Sequence, residues 1–473
     1  MLPFFMKAKR PNLSDHPIPQ LVRSISIPVI TGMFFQTMYN VVDTWAAGQL
    51  STEALAALSA SFSVFFLIIA VSHGCQAATN ALMSHALGSS DEDGASELGG
   101  QSLFFSFWMS SAVGALGVIY TPQLLEIVQV KGETLQLATD YLRPLFWATP
   151  FFVISSTLNG MLSAHGDTKP FRDSLIVGFL LNIVLDLWFV FGGLGLAPMG
   201  FAGIARATVL LQGLTMIYMW FKAVRSGILC VKDFKCMFPR WKSQRRLMGQ
   251  GFPALFNMLT IAAGIFVYTY YVAGLDTAVL AAFGTAMRIE QIALLPTIGL
   301  TIAAMTLAGH NLGAKRYDRL KETLFTCLRY GGVIYLIGGP LVAGFAPFLM
   351  SIFSEDPEVI QIGTTALRIS MLAFYAYVIL FTCSSVLQGL QRPMFAVWMG
   401  LYRQLLAPLL LIPFLMDRMN PPELAIWWGA FASVWTGALF TLLYVFWVFR
   451  QLKKKLVTDV SVGVPRAEEL PPD

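Results

Sequence analysis

Twelve long apolar segments follow one another along the 473 residues of the chain. The hydrocarbon core of a bilayer is about 30 Å thick, so roughly 20 apolar residues make one spanning helix. Each segment is therefore predicted to cross a membrane as an α-helix. The segments lie at about 24–48, 55–82, 101–121, 138–163, 172–195, 200–221, 249–274, 277–308, 325–349, 362–390, 393–416 and 424–449.

Charge is scarce along the chain. Only 12% of the residues are charged and 56% are hydrophobic, whereas a soluble domain has about 25% charged residues. This composition excludes an ordinary soluble enzyme and predicts an all-α integral protein of the lipid bilayer. The net charge of +5 does not indicate a nucleic-acid partner, because the cations lie in short gaps between apolar segments. Residues 1–19 do not have the order of charge and apolarity of a cleaved signal peptide.

The five cysteines give no disulfide or metal-binding pattern. Cys75, Cys327 and Cys383 lie in or beside apolar segments, whereas Cys230 and Cys236 lie in a basic loop. The sequence contains no CxxC pair, Cys/His cluster, HExxH motif or glycine-rich phosphate loop. We therefore expect no cofactor, no enzyme activity and no ATP-driven pump within this chain.

Positive charge is concentrated on one side of the predicted membrane. The longest gap, between the sixth and seventh segments, holds eight Lys and Arg residues and predicts a cytoplasmic linker. The other basic loops then fall on the same side, and so do both termini. The acidic loop from Ser89 to Glu97 is the one exception. We expect an inner-membrane protein with an N-terminal lobe (1–221), a basic linker (222–248), a C-terminal lobe (249–450) and a cytoplasmic tail (451–473).

The second half of the chain repeats the first at a shift of 225 residues. The aligned pairs include Pro28 with Pro253, Gly74 with Gly299, His85 with His310, and Gly88 with Gly313. Each half has six spans, an even number, so the two copies share one orientation and are related by an axis along the membrane normal. The sequence thus predicts twelve transmembrane helices in two pseudo-symmetric lobes, the layout of a rocking transporter.

Two aspartates lie inside predicted spans, where an ionisable group costs roughly 2.5–3.5 kcal/mol on insertion scales. Gln36, Asn40 and Asp43 are spaced i, i+4, i+7 on one face of the first span, and Asn182 and Asp186 are spaced i, i+4 in the fifth. These carboxylates and amides could hold a small cation through oxygen ligands or share one proton. The alternative is that each aspartate only ties helices together or faces water near a membrane edge.

The second half has no copy of this pair, because Asp43 aligns with Tyr268 and Asp186 with Leu409. It carries other charges within its spans, namely Arg288, Glu290, Arg368 and Arg403, and Arg206 lies in span six of the first half. Arg288 and Glu290 are two residues apart and cannot face each other on one helix. We expect Glu290 to pair with an arginine of another helix, with Arg403 as one candidate. An anion-binding cavity is the alternative.

The ordered motifs of the spans resemble the multidrug and toxic compound extrusion (MATE) family over residues 15–455. The matching motifs are Pro28, Val42-Asp43-Thr44 and Gly48 in span one, Leu-Gly ends at Gly88 and Gly313, Tyr141-Leu142-Arg143, Leu158-Asn159-Gly160, and Leu181-Asn182-Ile183-Val184-Leu185-Asp186. The last motif is similar to the DNA-damage-inducible F (DinF) branch of the prokaryotic members.

This resemblance implies a monomeric antiporter that exports organic, often cationic and amphipathic compounds in exchange for H⁺ or Na⁺. It assigns the proton or Na⁺ site to Asp43, Asn182 and Asp186. It assigns the nearby polar network and substrate cavity to Gln36, Asn40, Tyr141, Asn159 and Thr208, and a helix kink to Pro28. Many members have a threonine after the glycine that opens span six, where this chain has Ile204. The missing hydroxyl favours protons, unless Thr208 replaces it one turn along.

A second function stays open on sequence grounds. A lipid-linked precursor flippase of the same superfamily would use Arg206, Arg288 and Arg403 to hold a pyrophosphate. Complementation of a flippase-deficient strain without dye efflux would favour it over a multidrug antiporter.

Overall fold

The computed structural model describes Leu13 and residues 16–193, 195–229 and 238–462, and this part of the chain folds into helices. The helices are α1 Ile18–Leu50, α2 Thr52–Gly88, α3 Glu92–Ile127, α4 Gly132–Trp147, α5 Thr149–Ala164, α6 Lys169–Phe191, α7 Phe201–Arg225, α8 Trp241–Ala273, α9 Thr277–Gly313, α10 Tyr317–Gly344, α11 Ala346–Ser351, α12 Pro357–Gly389, α13 Met394–Leu401, α14 Ala407–Met416 and α15 Glu423–Val462, with a π-helical turn, Tyr402–Leu406, between α13 and α14.

The predicted number of spans is confirmed for the described residues. Eleven continuous helical segments are long and apolar enough to cross a membrane, and the bent pair α4 and α5 makes a twelfth span. The chain is therefore a multi-pass membrane protein. Cys75, Cys327 and Cys383 are buried free thiols. Cys230 and Cys236 lie outside the described residues, as do 1–12 and 463–473.

Two predicted spans differ from straight helices. The segment at 138–163 is broken at Ala148, where α4 and α5 meet at 50°, because Pro150 lacks an N–H and its ring displaces the carbonyl four residues earlier. The segment at 393–416 contains the π-helical turn Tyr402–Leu406. The helical ends also extend beyond the apolar segments. α7 continues to Arg225 and α8 begins at Trp241, so only 226–240 of the expected linker lie between helices.

Helices in lipid gain little from burying apolar side chains, so they associate through close van der Waals contact between small residues. The two halves meet in this way, and the same contact occurs twice. A Cβ on Gly74 of α2 would lie 2.8 Å from the carbonyl oxygen of Gly251 in α8. A Cβ on Gly299 of α9 would lie 2.8 Å from the carbonyl oxygen of Ser26 in α1. Both partners are shifted by 225 residues between the two contacts.

The ends of α2 and α9 repeat this relation. Gly88 lies against the backbone of His310, and Gly313 lies against the backbone of His85. Between them, the amide nitrogen of Asn80 donates a hydrogen bond to Thr306 Oγ1 at 3.0 Å. The halves predicted from the 225-residue shift are therefore related by a pseudo-two-fold axis that passes between α2 and α9.

The buried apolar clusters cross between the lobes at only one end of the described structure. Ile18, Val22 and Ile25 of α1 pack into the C-terminal lobe, and Leu247 of α8 packs into the N-terminal lobe. At the opposite end, one cluster holds residues from Ala46 to Ala205, and another holds residues from Val272 to Trp427. The lobes are thus joined where α1 and α8 begin, and packed separately at the other end.

The acidic loop that departs from the charge asymmetry has a structural explanation. Asp91 caps α3 by accepting a hydrogen bond from Gly94 N at 2.8 Å, and Glu92 and Asp93 fill the first turn, where negative charge is favoured by the helix dipole. Glu97 forms a salt bridge with Arg240, just before α8. These acids stabilise a helix start and the end of the linker.

Candidate functional site

The two intramembrane aspartates are joined by one asparagine. α1 and α6 pack side by side, and Asn182 Nδ2 donates to Asp43 Oδ1 and to Asp186 Oδ2, both at 3.0 Å. Asp43 is 7% exposed, Asp186 1% and Asn182 0%. The structure thus brings the predicted cation or proton residues together in one buried group, which we call the aspartate pair (Asp43, Asn182 and Asp186).

The aspartate pair is left with open acceptors. Asp186 Oδ1 and Asn182 Oδ1 are buried and have no hydrogen-bond partner. The two carboxyl groups also lie within hydrogen-bonding reach of each other. A buried acceptor without a donor costs free energy, and two carboxylates can hydrogen-bond only if one of them carries a proton. The geometry can therefore accommodate one shared proton or a small cation between the carboxyl groups.

A second polar contact lies next to the aspartate pair. Tyr39, one turn before Asp43 on α1, donates its hydroxyl hydrogen to Thr208 Oγ1 of α7 at 3.1 Å. Thr208 is therefore engaged through a tyrosine and is not a direct partner of either carboxyl group. Ile204, one turn earlier, is fully buried. Tyr141 is 7% exposed, lies within electrostatic reach of both aspartates, and stacks on Phe201 with ring centroids 5.2 Å apart.

Other predicted site residues lie apart from this network. Gln36 and Asn40 are exposed, although they share a helical face with Asp43. A shared face does not give a shared environment, because only Asp43 reaches the packed contact with α6. Asn159 is buried, but its side chain accepts a hydrogen bond from Ser163, and its neighbours belong to the apolar cluster at the joined end. Pro28 is buried within a continuous α1.

The predicted ion pair of Glu290 is wrong, because neither Arg403 nor any other described arginine lies within salt-bridge distance of it. The described salt bridges are Arg172–Asp173 and Arg240–Glu97. Glu290 instead interacts with Ser370. Arg403 is 7% exposed, and its guanidinium lies 5.5 Å from the ring centroid of Tyr377. Aromatic faces attract this cation in place of a carboxylate.

Arg403 is positioned by the π-helical turn of the C-terminal lobe, and π-turns are frequent at functional sites. A second ring, Phe381, lies 5.9 Å from its guanidinium. Tyr268, the residue that aligns with Asp43, lies within electrostatic reach of both Arg403 and Glu290. Where the N-terminal lobe has two carboxyl groups, the C-terminal lobe thus has a buried cation among aromatic rings. The other two arginines of the sequence hypothesis, Arg206 and Arg288, are exposed.

The two lobes can each be compared with known proteins. The sequence model of the MatE family matches residues 28–188 and again residues 253–412. The chain belongs to the MatE family. The two matches begin at Pro28 and Pro253, which are separated by the same 225 residues as the internal repeat. The finer assignment to the DinF branch stays a prediction.

Relatives of this MatE chain are similar over nearly its whole length. It is 25% identical over 469 residues to the probable multidrug resistance protein YoeA of Bacillus subtilis, covering 93% of this chain and 96% of the relative. It is 26% identical over 408 residues to the FAD transporter of Shewanella oneidensis, covering 84% and 88%. A solved outward-facing multidrug resistance MATE family transporter shares 23% identity at a TM-score of 0.88, covering 95% and 99% of the two chains. This last likeness concerns the fold.

Two functional candidates were missed by sequence reasoning on this MatE chain. Tyr39 was considered only as an aromatic residue of a cavity, although its i, i+4 spacing to Asp43 indicates a neighbour on the same face. The aromatic surroundings of Arg403 come from α12, and no local pattern around Arg403 reveals them.

Proposed function

We propose that this protein is a secondary active antiporter of the DinF type that exports organic, often cationic and amphipathic compounds in exchange for protons. The single observation that carries the proposal is the aspartate pair, a buried carboxyl pair with two unpartnered acceptor oxygens in one lobe of a two-lobe membrane protein. The names of several relatives as multidrug resistance proteins support the substrate class. The protein would reside in the inner membrane with both termini cytoplasmic.

The lobe packing supports alternating access. The lobes are joined through glycine contacts where α1 and α8 begin, and their buried clusters are separate at the other end. With the basic loops cytoplasmic, the cleft between the lobes opens outward. A proton entering from outside would neutralise the aspartate pair, and the altered contact between α1 and α6 would favour release of the substrate outward. Bending of α1 at Pro28 would be one way to transmit that change.

The surroundings of the aspartate pair favour protons over Na⁺. A hard cation is held by several oxygen ligands. Here Thr208 Oγ1 and the hydroxyl of Tyr39 are engaged with each other, and Ile204 has no oxygen in its side chain. The oxygens left to a metal ion are those of Asp43, Asn182 and Asp186. A proton needs only two of them.

The coupling ion can be tested with the purified protein in liposomes loaded with ethidium. We expect an imposed ΔpH, without Na⁺, to drive dye movement, and an imposed Na⁺ gradient at equal pH to leave the dye at the rate of empty liposomes. Asp173→Asn, which changes a carboxyl group of α6 outside the aspartate pair, is the matched control and should respond as the unmodified protein does. Transport driven by Na⁺ alone would overturn proton coupling.

A second candidate function is export of compounds that carry a pyrophosphate, as lipid-linked precursors do. The observation that favours it is Arg403, a buried guanidinium without a carboxylate partner, flanked by the rings of Tyr377 and Phe381. Arginine binds phosphate oxygens through paired hydrogen bonds, and aromatic rings can stack on a planar base. A relative named as an FAD transporter supports this class, since FAD is a pyrophosphate of two planar groups.

Arg403→Gln and Arg403→Lys separate the two functions. If pyrophosphate compounds are substrates, we expect Arg403→Gln to reduce FAD export about tenfold or more, because a charge-assisted bidentate contact is lost. Arg403→Lys keeps the charge without the fork and should retain part of the export. Ethidium export should change little in either variant. Equal FAD movement in the unmodified protein and in empty liposomes would exclude FAD as a substrate, and failure to complement a flippase-deficient strain would exclude lipid-linked precursors.

A further inference from the structure

A cavity of about 780 Å³ lies outside the aspartate pair, at the end of the structure where α8 and α13 begin. Its apolar wall includes Met248 and Phe252 of α8 and Phe395 of α13. The ring of Phe395 stacks on Tyr444 of α15, with centroids 4.0 Å apart and planes within 3° of each other. The cavity is therefore a groove between three helices of the C-terminal lobe, with a flat aromatic wall.

Two arginines line this groove, Arg245 of α8 and Arg392 of the turn before α13. Neither is in a salt bridge within the described part of the chain, whose ion pairs lie at Arg172–Asp173 and Arg240–Glu97. Two guanidinium groups beside an apolar wall complement a molecule with an anionic group and an apolar body.

The wall of the groove is held in place by its own backbone contacts. Gln250 Nε2 donates to the carbonyl oxygen of Gln391 at 3.2 Å, which ties α8 to the turn. Arg392 N donates to the carbonyl oxygen of Leu387 at 2.8 Å, and Pro393 is buried behind it. The two arginines therefore extend from fixed backbone positions, so a ligand would meet a largely preformed site.

The groove opens at the predicted edge of the bilayer. Trp241 begins α8 and is 73% exposed, and Trp398 of α13 is 64% exposed, as expected for aromatic residues at a membrane interface. Met394 lines the groove and lies one turn from Trp398 on the outer face of α13. The apolar wall thus continues toward lipid, and the basic loops lie at the same end of the molecule.

We propose that this groove binds an anionic phospholipid of the cytoplasmic leaflet, with its phosphate between Arg245 and Arg392 and an acyl chain along Met394 and Trp398. Basic pockets between transmembrane helices on the cytoplasmic side suit anionic headgroups. A bound lipid would bridge α8, α13 and α15 and stabilise the C-terminal lobe. The proposal is independent of the transported substrate.

The test uses the purified full chain in neutral detergent, with dioleoyl phosphatidylglycerol, dioleoyl phosphatidylcholine or inorganic phosphate added separately. Bound lipid is counted by native mass spectrometry, and the shift in Tm is measured in parallel. We expect phosphatidylglycerol to bind and raise the Tm. The double variant Arg245→Gln/Arg392→Gln should weaken its binding roughly 25-fold, since each basic residue near an anionic lipid contributes on a similar scale. The charge-matched control is Arg225→Gln/Lys321→Gln, at exposed positions outside the groove.

A second variant tests the groove without changing charge. A Cβ on Gly249 would meet open space, so Gly249→Leu fills the groove without displacing packed atoms. It should abolish lipid binding, whereas Gly338→Leu, at an equally open position on α10, should not. Equal binding of both lipids, an equal loss in the charge-matched control, or retained binding in Gly249→Leu would each overturn the proposal. Inorganic phosphate that binds alone and displaces phosphatidylglycerol would replace the lipid with a soluble anion.

Discussion

Asp43→Asn and Asp186→Asn are each expected to reduce ethidium export from cells to the level of cells without the transporter. Asparagine has nearly the shape of aspartate but cannot take up or release a proton. Either substitution leaves one titratable carboxyl group beside Asn182 and breaks the exchange of a proton for substrate. Export is measured as dye efflux from cells that contain equal amounts of each variant in the membrane.

The amount and folding of each variant must be shown to match, because the aspartate pair also joins α1 to α6. Asp173→Asn is the control on α6. It removes a partly exposed carboxylate paired with Arg172, and such a surface pair contributes only about 0–1 kcal/mol. Its export should equal that of the unmodified protein. Unchanged export in both Asp43→Asn and Asp186→Asn would show that these residues only tie helices together.

Gly74→Ala and Gly299→Ala are expected to weaken the closed end of the protein by similar amounts. Each added Cβ would lie 2.8 Å from a backbone carbonyl oxygen of the opposite lobe, and overpacking of this kind costs typically about 1–3 kcal/mol. A change of that size shifts an equilibrium between two conformations by about 5-fold to 150-fold. Distances between spin labels at Ser90 and Lys315, on two turns at the joined end, should lengthen in a larger fraction of the molecules.

Gly284→Ala on α9 is the matched control, because a Cβ there meets open space. Alanine is the better helix former by about 1 kcal/mol, so this variant should be neutral or slightly stabilised. The contrast with Gly299→Ala on the same helix isolates the contact between the lobes. Label distances in Gly74→Ala and Gly299→Ala that match those of Gly284→Ala would contradict the assigned interface.

The spans and the repeat could be predicted because their causes are local or strictly periodic. A bilayer-length apolar segment has one stable conformation in lipid, and a duplicated sequence repeats its contacts. The 225-residue shift therefore anticipated that Gly74 and Gly299 occupy equivalent positions, and each abuts the opposite lobe. The break at Ala148 was missed, because the proline at position 150 lies inside an uninterrupted apolar segment.

The candidate site divides along the same line. The i, i+4 spacing placed Asn182 beside Asp186, and helix geometry alone is sufficient for that contact. The bond from Asn182 to Asp43 joins residues 139 positions apart, and the bond from Tyr39 to Thr208 joins residues 169 apart. Which residue on a facing helix completes such a contact depends on how the helices are rotated and displaced, which a single sequence does not encode locally.

The sequence by itself determined that this is a membrane protein of two repeated halves, and that Asp43 and Asp186 are its costly intramembrane acids, since apolar length and charge scarcity follow directly from composition. Only the tertiary structure decided that one asparagine joins those acids, that Glu290 and Arg403 do not pair, and which end of the molecule is joined. These features depend on contacts between helices distant in sequence, and in lipid such contacts are set by close packing of small residues and by polar groups.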